Sequence, residues 1–294
     1  MNTKRIRRFV KHLYHGAIDS LPAQLGVKTL QHILPPPHIE LTCYDVVVPQ
    51  LPTGLDGLRA LHISDLHLQP GSDLARELPE LVAAVPHDLA FYTGDFIDTD
   101  DGIPQVAAIL ARMPRPRVAG AYAVLGNHDH QPLGRFHGSN DVAALRTMLT
   151  DAGLDVLDNT ARSALDGELF IVGVDDPATD RDNLDRAMAA VPAGACALLL
   201  AHSPDIVLRL GDHRPGLILA GHTHGGQIRL PFLGPLITMS SLPRREVMGL
   251  RTHHGVPMFV TRGIGYSGLN LRLGCPPEVA LLILRSPLAL ARAA

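Results

Sequence analysis

Asp65 and His67, Asp95, Asn127 with His128 and Asp129, His202, and the pair His222 and His224 are the residues of this 294-residue chain whose types could act together as chemistry. Setting His128 and Asp129 aside, they supply two carboxylates, one carboxamide and four imidazoles. Each signal is weak alone. An Asp-x-His pair recurs by chance, and a single buried histidine is more often hydrogen-bonded than metal-bound. Buried together without partners, such groups would cost roughly a few kcal/mol each. Two divalent cations would satisfy them, and this mixed ligation suits Mn, Fe, Zn or Co better than Mg or Ca.

The elements that must position these residues are visible as five apolar runs, each stopping at one of the clusters. Leu58–Ile63 precedes Ser64-Asp65-Leu66-His67, and Leu89–Thr93 precedes Gly94-Asp95. Ala121–Leu125 precedes Gly126-Asn127-His128-Asp129, Cys196–Ala201 precedes His202, and Leu217–Ala220 precedes Gly221-His222-Thr223-His224. Short runs of Val, Ile, Leu and aromatics, stopped by Gly or a polar pair, read as buried strands. Ligands just past the carboxyl ends of several strands can converge on one crevice. Further strands are predicted at Glu40–Val48, Glu168–Val174, Met258–Thr261 and Val279–Leu284. Helices are predicted at Ser72–Val85, Ile103–Met113, Asp141–Ala152, Asn183–Ala190 and Pro204–Leu210. The alternation calls for a layered α/β domain.

Bulk properties narrow the function classes. The net charge of −3 leaves no global basic field, and aromatic residues are 4% of the chain with Trp absent, so no nucleic-acid partner is expected. Cys43, Cys196 and Cys275 are odd in number, far apart and in no CxxC pattern, as in a reduced intracellular chain. Before Asp19, Lys4, Arg5, Arg7, Arg8 and Lys11 accompany Ile6, Phe9, Val10, Leu13 and Ala17 at helical spacing. Such a basic amphipathic helix can lie on an anionic membrane surface or pack on its own domain. Arg7-Arg8 invites an export reading, but no apolar h-region follows. The expected location is cytoplasmic, peripheral on the membrane face. Three segments result: a basic helical segment over 1–38, a domain over 39–288 and a tail over 289–294. Within the domain, residues 227–255 form an apolar, proline-broken insertion, expected to pack as a hairpin, with an exposed lip meeting a greasy substrate as the alternative.

Asp65-x-His67, Gly94-Asp95, Gly126-Asn127-His128-Asp129, His202 and Gly221-His222-Thr223-His224 resemble, in order, the five blocks of the calcineurin-like metallophosphoesterases. Gly225-Gly226-Gln227, Thr261-Arg262-Gly263-Ile264-Gly265 and Arg272-Leu273-Gly274-Cys275-Pro276-Pro277-Glu278 are similar to the bacterial branch of YkuE- and YaeI-type phosphodiesterases, whose relatives include UDP-2,3-diacylglucosamine hydrolases. The resemblance implies two β-sheets stacked as a sandwich and flanked by helices, in α/β/β/α layers. It also implies that Asp65, His67 and His224 hold a first metal, that Asp95 bridges, and that Asn127, His202 and His222 complete a second. His128 would stand over the leaving-group oxygen, with Asp129 as a plausible orienting partner.

Two cations about 3.5–4 Å apart need a bridging carboxylate, here expected to use both oxygens of Asp95, and a hydroxide between them can attack phosphorus. Arg262, in a Gly-flanked turn, is suited either to clamp phosphate or to anchor its loop. Asp98, Asp100 and Asp101 read as solvated loop acids, and Asp175-Asp176-Pro177 as a turn initiator that could alternatively reach the site rim. The expected activity is hydrolysis of a phosphodiester or pyrophosphate bond with two divalent ions, Mn foremost. The substrate could be a lipid-linked nucleotide such as UDP-2,3-diacylglucosamine. The alternatives are a phosphodiesterase or phosphomonoesterase on soluble nucleotides, and a non-catalytic scaffold on the same fold.

Overall fold

In the computed structural model, which describes residues 38–67, 72–132 and 138–293, the strands assemble into two six-stranded sheets. The first sheet holds β1 (Glu40–Val47), β2 (Leu58–Ile63), β3 (Leu89–Thr93), β4 (Ala121–Val124) and β5 (Leu154–Val156). The second holds β6 (Thr160–Ala164), β7 (Leu169–Gly173), β8 (Ala197–Leu200) and β9 (Leu217–Ala220). A small hairpin follows, β10 (Arg229–Leu230) with β11 (Gly234–Pro235). The chain returns to the second sheet with β12 (Gly249–His253) and β13 (Val256–Val260), and to the first with β14 (Glu278–Arg285). The spatial orders are β1-β14-β2-β3-β4-β5 and β12-β13-β9-β8-β7-β6.

Side-chain alternation along the strands sorts the apolar residues into layers. Ala60, Phe91, Val124, Ile171, Leu198, Leu200, Leu219 and Phe259 meet between the sheets. Their neighbours Leu61, Ile63 and Tyr92 face outward against Leu78, Val82, Ile109 and Leu149. Those four lie on helices α1 (Asp73–Ala83), α2 (Ile103–Leu110) and α4 (Val142–Asp151), with the single-turn α3 (Asn127–His130) between the last two in sequence. Val172, Leu199, Ile218 and Met258 face outward from the other sheet against Ala187 of α5 (Leu184–Met188) and Ile206. The layers are therefore helix, sheet, sheet, helix, as the resemblance implies. Both faces of each sheet are covered, which is why the strands read as continuous apolar runs rather than alternating ones.

Strands β2, β3, β4 and β5 are mutually parallel, as are β7, β8, β9 and β13. All their carboxyl ends consequently lie on one edge of each sheet, and the candidate residues follow those ends. The structure departs from expectation in several places. Pro204–Arg209 is a 3-10 helix, and residues 289–293 of the segment set apart as a tail form helix α6 (Pro287–Ala293) together with the two residues before them. Within the insertion Pro235, Leu242 and Val247 are buried, whereas Phe232 and Leu233 are exposed. The N-terminal segment 1–38 falls, except for residue 38, outside the described residues, and its amphipathic pattern does so entirely. No helix among the described residues is long and apolar enough to cross a membrane.

Phe259 is fully buried between the sheets against Tyr44 and His62. Phe259→Ala should lower unfolding free energy by about 3–5 kcal/mol, read as a shifted urea midpoint at unchanged slope. A shift below about 1 kcal/mol would mean that the intersheet layer is not the principal core.

Candidate metal centre

Two clusters, buried except for the half-buried His222, form at the shared edge. Asp65, His67 and His224 present ligand atoms within 4.8 Å of one another, and Asp95, His202 and His222 do the same. Asp65 and His67 follow β2, Asp95 follows β3, Asn127 and His128 follow β4, His202 follows β8, and His222 and His224 follow β9. Neighbouring chains come very close here. A Cβ on Gly126 would overlap the Asp95 carboxylate, and one on Gly221 would overlap Ser64 and Asp65, so only glycine fits at either position. Asp65, His67, Asp95, His222 and His224 all adopt positive φ, at 52°, 34°, 53°, 69° and 48°. Left-handed non-glycine backbone of this kind costs of order 1–3 kcal/mol per residue and clusters at functional sites.

Three of the four imidazoles have one nitrogen assigned by a hydrogen-bond acceptor. His202 Nδ1 donates to the Thr93 carbonyl at 2.6 Å. His67 Nδ1 donates to Asp98 Oδ1 at 2.6 Å, and His222 Nε2 donates to the Met239 carbonyl at 3.3 Å. In the neutral tautomers these bonds select, His67 Nε2, His202 Nε2 and His222 Nδ1 carry lone pairs into the site. His222 Nδ1 and His202 Nε2 then face each other at 3.1 Å, which only a cation or a proton between them makes tolerable. His67 Nε2, His224 Nε2 and Asn127 Oδ1 are buried without a hydrogen-bond partner. The orphaned acceptors His67 Nε2 and Asn127 Oδ1 fit a divalent transition metal. His224 is held differently: its Nδ1 lies 3.1 Å from the buried Arg272 guanidinium, which also donates to the carbonyls of Arg262 and Gly265.

Asp95 lies between the clusters. Its Oδ2 is 3.2 Å from His67 Nε2 and 3.1 Å from His202 Nε2, while Oδ1 accepts the His128 backbone N–H at 2.8 Å. One oxygen, not two, therefore faces both ligand groups. Burial alone would raise the Asp95 carboxyl, but the charges of His202 and His128 hold it well below the usual range. Conversely, burial would lower His202, and Asp95 outweighs it, pushing the imidazole up to about 10. His67 is also raised, Asp98 and Asp95 together overcoming burial. Burial, then Arg272 and His67, depress His224, and burial with His202 depresses His222.

Asp129, Arg262 and Asp98 take different places from those anticipated. Asp129 accepts backbone N–H groups from Asp95, Phe96, Ile97 and Gly126 at 2.8–3.2 Å. It organises the loops beneath the site. The Arg262 guanidinium is paired with Glu40 and Glu278 at 3.0 and 3.2 Å, which is the anchoring alternative and not a phosphate clamp. Asp98 is no solvated acid, because it holds His67; its three-residue distance from Asp95 was the only signal for it. Asp176 caps a turn through Ala178 N and Thr179 Oγ1, and Asp175 accepts from His130 Nε2 at 2.7 Å. His128 is half-buried, its ring centroid 5.2 Å from that of His67.

The profile of the calcineurin-like phosphoesterases matches residues 58–226, a span that contains both clusters. The chain belongs to this family. It is 36% identical over 226 residues to the uncharacterised metallophosphoesterase YkoQ of Bacillus subtilis, covering 76% of this chain and 82% of that one. To YkuE of the same organism it is 30% identical over 290 residues, covering 95% and 97%. The UDP-2,3-diacylglucosamine pyrophosphatase LpxG of Chlamydia muridarum is 26% identical over 326 residues, covering 92% of this chain and 98% of LpxG. Membership of the calcineurin-like phosphoesterases gives the two clusters a chemical class, phosphoester hydrolysis with divalent metal.

Asp98→Ala should weaken metal retention by about 10–100-fold through loss of the acceptor that orients His67. Equilibrium dialysis with metal analysis reads the change, and unchanged affinity would return Asp98 to the loop acids. With His202 protonated up to about pH 10 in the metal-free site, an incoming cation must displace that proton. Metal affinity therefore rises with pH towards that value, and binding at about pH 7 releases protons. Calorimetry in buffers of different ionisation enthalpy should show buffer-dependent heats; identical heats would contradict the protonated site.

Proposed function

We propose that this chain hydrolyses a phosphodiester or pyrophosphate bond with two divalent cations. The observation that carries the reading is the single Asp95 oxygen at 3.2 and 3.1 Å from ligand nitrogens of both clusters. In this reading Asp65, His67 and His224 hold one ion, Asn127, His202 and His222 hold the other, and Asp95 is shared. Such a pair, when bound, acidifies a water and neutralises charge on the phosphoryl oxygens. Manganese is the ion expected, to be checked by metal analysis of the purified protein.

The protein's own side chains supply the remainder. Asp98 and the Thr93 carbonyl keep two imidazoles turned with Nε2 inward. His128 lies beside His67 and is half-buried, so it can deliver a proton to a departing oxygen at the site mouth. An alkoxide needs that proton more than a diphosphate does. The proposed substrate is a lipid-linked pyrophosphate at the cytoplasmic membrane face. Similarity to LpxG over nearly the whole chain and the exposed apolar tip of the insertion support it. Hydrolysis of soluble nucleotides is the second reading.

A hydrolysis screen over lipid-linked pyrophosphates, nucleotides and simple diesters tests the reading, with Asp95→Asn as control. Turnover of at least one class with manganese, lost in the control, is expected. Background rates on all of them with every metal would remove the enzyme. His128→Ala should slow alkyl diesters by about 10²–10⁴-fold and pyrophosphates less. Equal losses on both would take His128 out of the acid role.

A further inference from the structure

The insertion that returns from the metal centre to β12 carries an apolar tip. Phe232 is 109% exposed and Leu233 67%, with Leu236 and Met239 also exposed. The tip is the turn of the β10–β11 hairpin, pinned by pairing of Leu230 with Gly234. It is not a loose loop. Leu236 N donates to the Ile228 carbonyl at 3.2 Å, and on the far side Ser241 N donates to Asp205. Between those roots, the Met239 carbonyl holds His222. An element hydrogen-bonded at the site thus carries large apolar side chains outward, where none of the described residues covers them.

Charge identifies what would cover them. From residue 227 to 253, Arg229, Arg244, Arg245 and Arg251 stand against Glu246 as the sole acid, in a chain whose net charge is −3. Strand β11 packs against the turn Arg244–Glu246, so the cationic turn sits beside the apolar hairpin. Arg244, Arg245 and Arg251 are exposed. Apolar side chains at a tip flanked by exposed arginines match an anionic bilayer: acyl chains for Phe232 and Leu233, headgroup charges for the guanidinium groups.

We propose that the hairpin tip is a membrane-docking element that enters the acyl region of an anionic bilayer while the Arg244–Arg251 segment contacts headgroups. This rests on, and deepens, the lipid-linked reading, because it names the surface from which the substrate would be taken. Docking is nevertheless measured without substrate or turnover, so its failure and the failure of the hydrolytic reading are separate results.

Flotation of the full chain with phosphatidylglycerol vesicles and with phosphatidylcholine vesicles tests it. Binding to the anionic vesicles is expected, weakened by salt, and reduced about tenfold or more in the double variant Phe232→Glu, Leu233→Glu. The chain lacks Trp, so Phe232→Trp introduces a sole indole reporter without a charge. Its emission should shift to the blue on phosphatidylglycerol vesicles and be quenched by lipids brominated along the acyl chain. An unshifted indole overturns the proposal. So does double-variant binding equal to that of the unsubstituted chain, which would assign docking to residues outside the tip. Absence of vesicle binding, with a dimer that the double variant dissociates, overturns it in favour of a contact between copies.

Discussion

The Thr93 carbonyl oxygen, at the last residue of β3, takes the Nδ1–H of His202 from the opposite sheet at 2.6 Å and the Ser64 hydroxyl at 3.1 Å. That oxygen joins the two sheets at the edge where their strands end. It also settles which nitrogen of His202 looks inward, since a donated Nδ1–H leaves Nε2 as the nitrogen a cation can take by displacing its proton. Neither sheet contains a complete ligand set. Residues after β2, β3 and β4 belong to one, those after β8 and β9 to the other, and the acceptor at Thr93 is where their spacing is set.

The close approach that results constrains the backbone more than the side chains. Five ligand candidates occupy left-handed conformations, and Gly126 and Gly221 leave no room for a methyl group beside Asp95 and Asp65. Strain on this scale persists only where the surroundings over-determine it. Asp129 is part of that surrounding: four N–H groups from two loops converge on one buried carboxylate. Burial and the neighbouring Asp95 charge push it up to about 7, against the donated hydrogen bonds. Its work is mechanical, holding the loop after β3 against the loop after β4.

How much of this could be read beforehand depended on how local each signal was. Strands covered on both faces announce themselves as apolar runs, and residues that stop such runs are easy to mark. Three of the four edge strands do not: β5 has three residues, β6 buries only Ala164, and β12 exposes Arg251 and Thr252. Asp98 and Asp129 look alike in sequence, two acids near ligand clusters, yet one meets an imidazole and the other only main chain. Arg262 meets Glu40, 222 positions away, a partner no spacing argument could supply. Phe232 and Leu233 resemble core residues by composition, and only the hairpin's geometry leaves them outside.

The His222 N–H bonds the Asp65 carboxylate across 157 positions of sequence. A cage closed by such distant segments cannot exist in the unfolded chain, so ions it holds bind the native form alone. Occupancy then adds to stability by mass action, about 2.7 kcal/mol at a free-ion concentration one hundred times the dissociation constant. The cations would act as a clasp across the seam, and the melting temperature of the protein would become a gauge of the free metal around it.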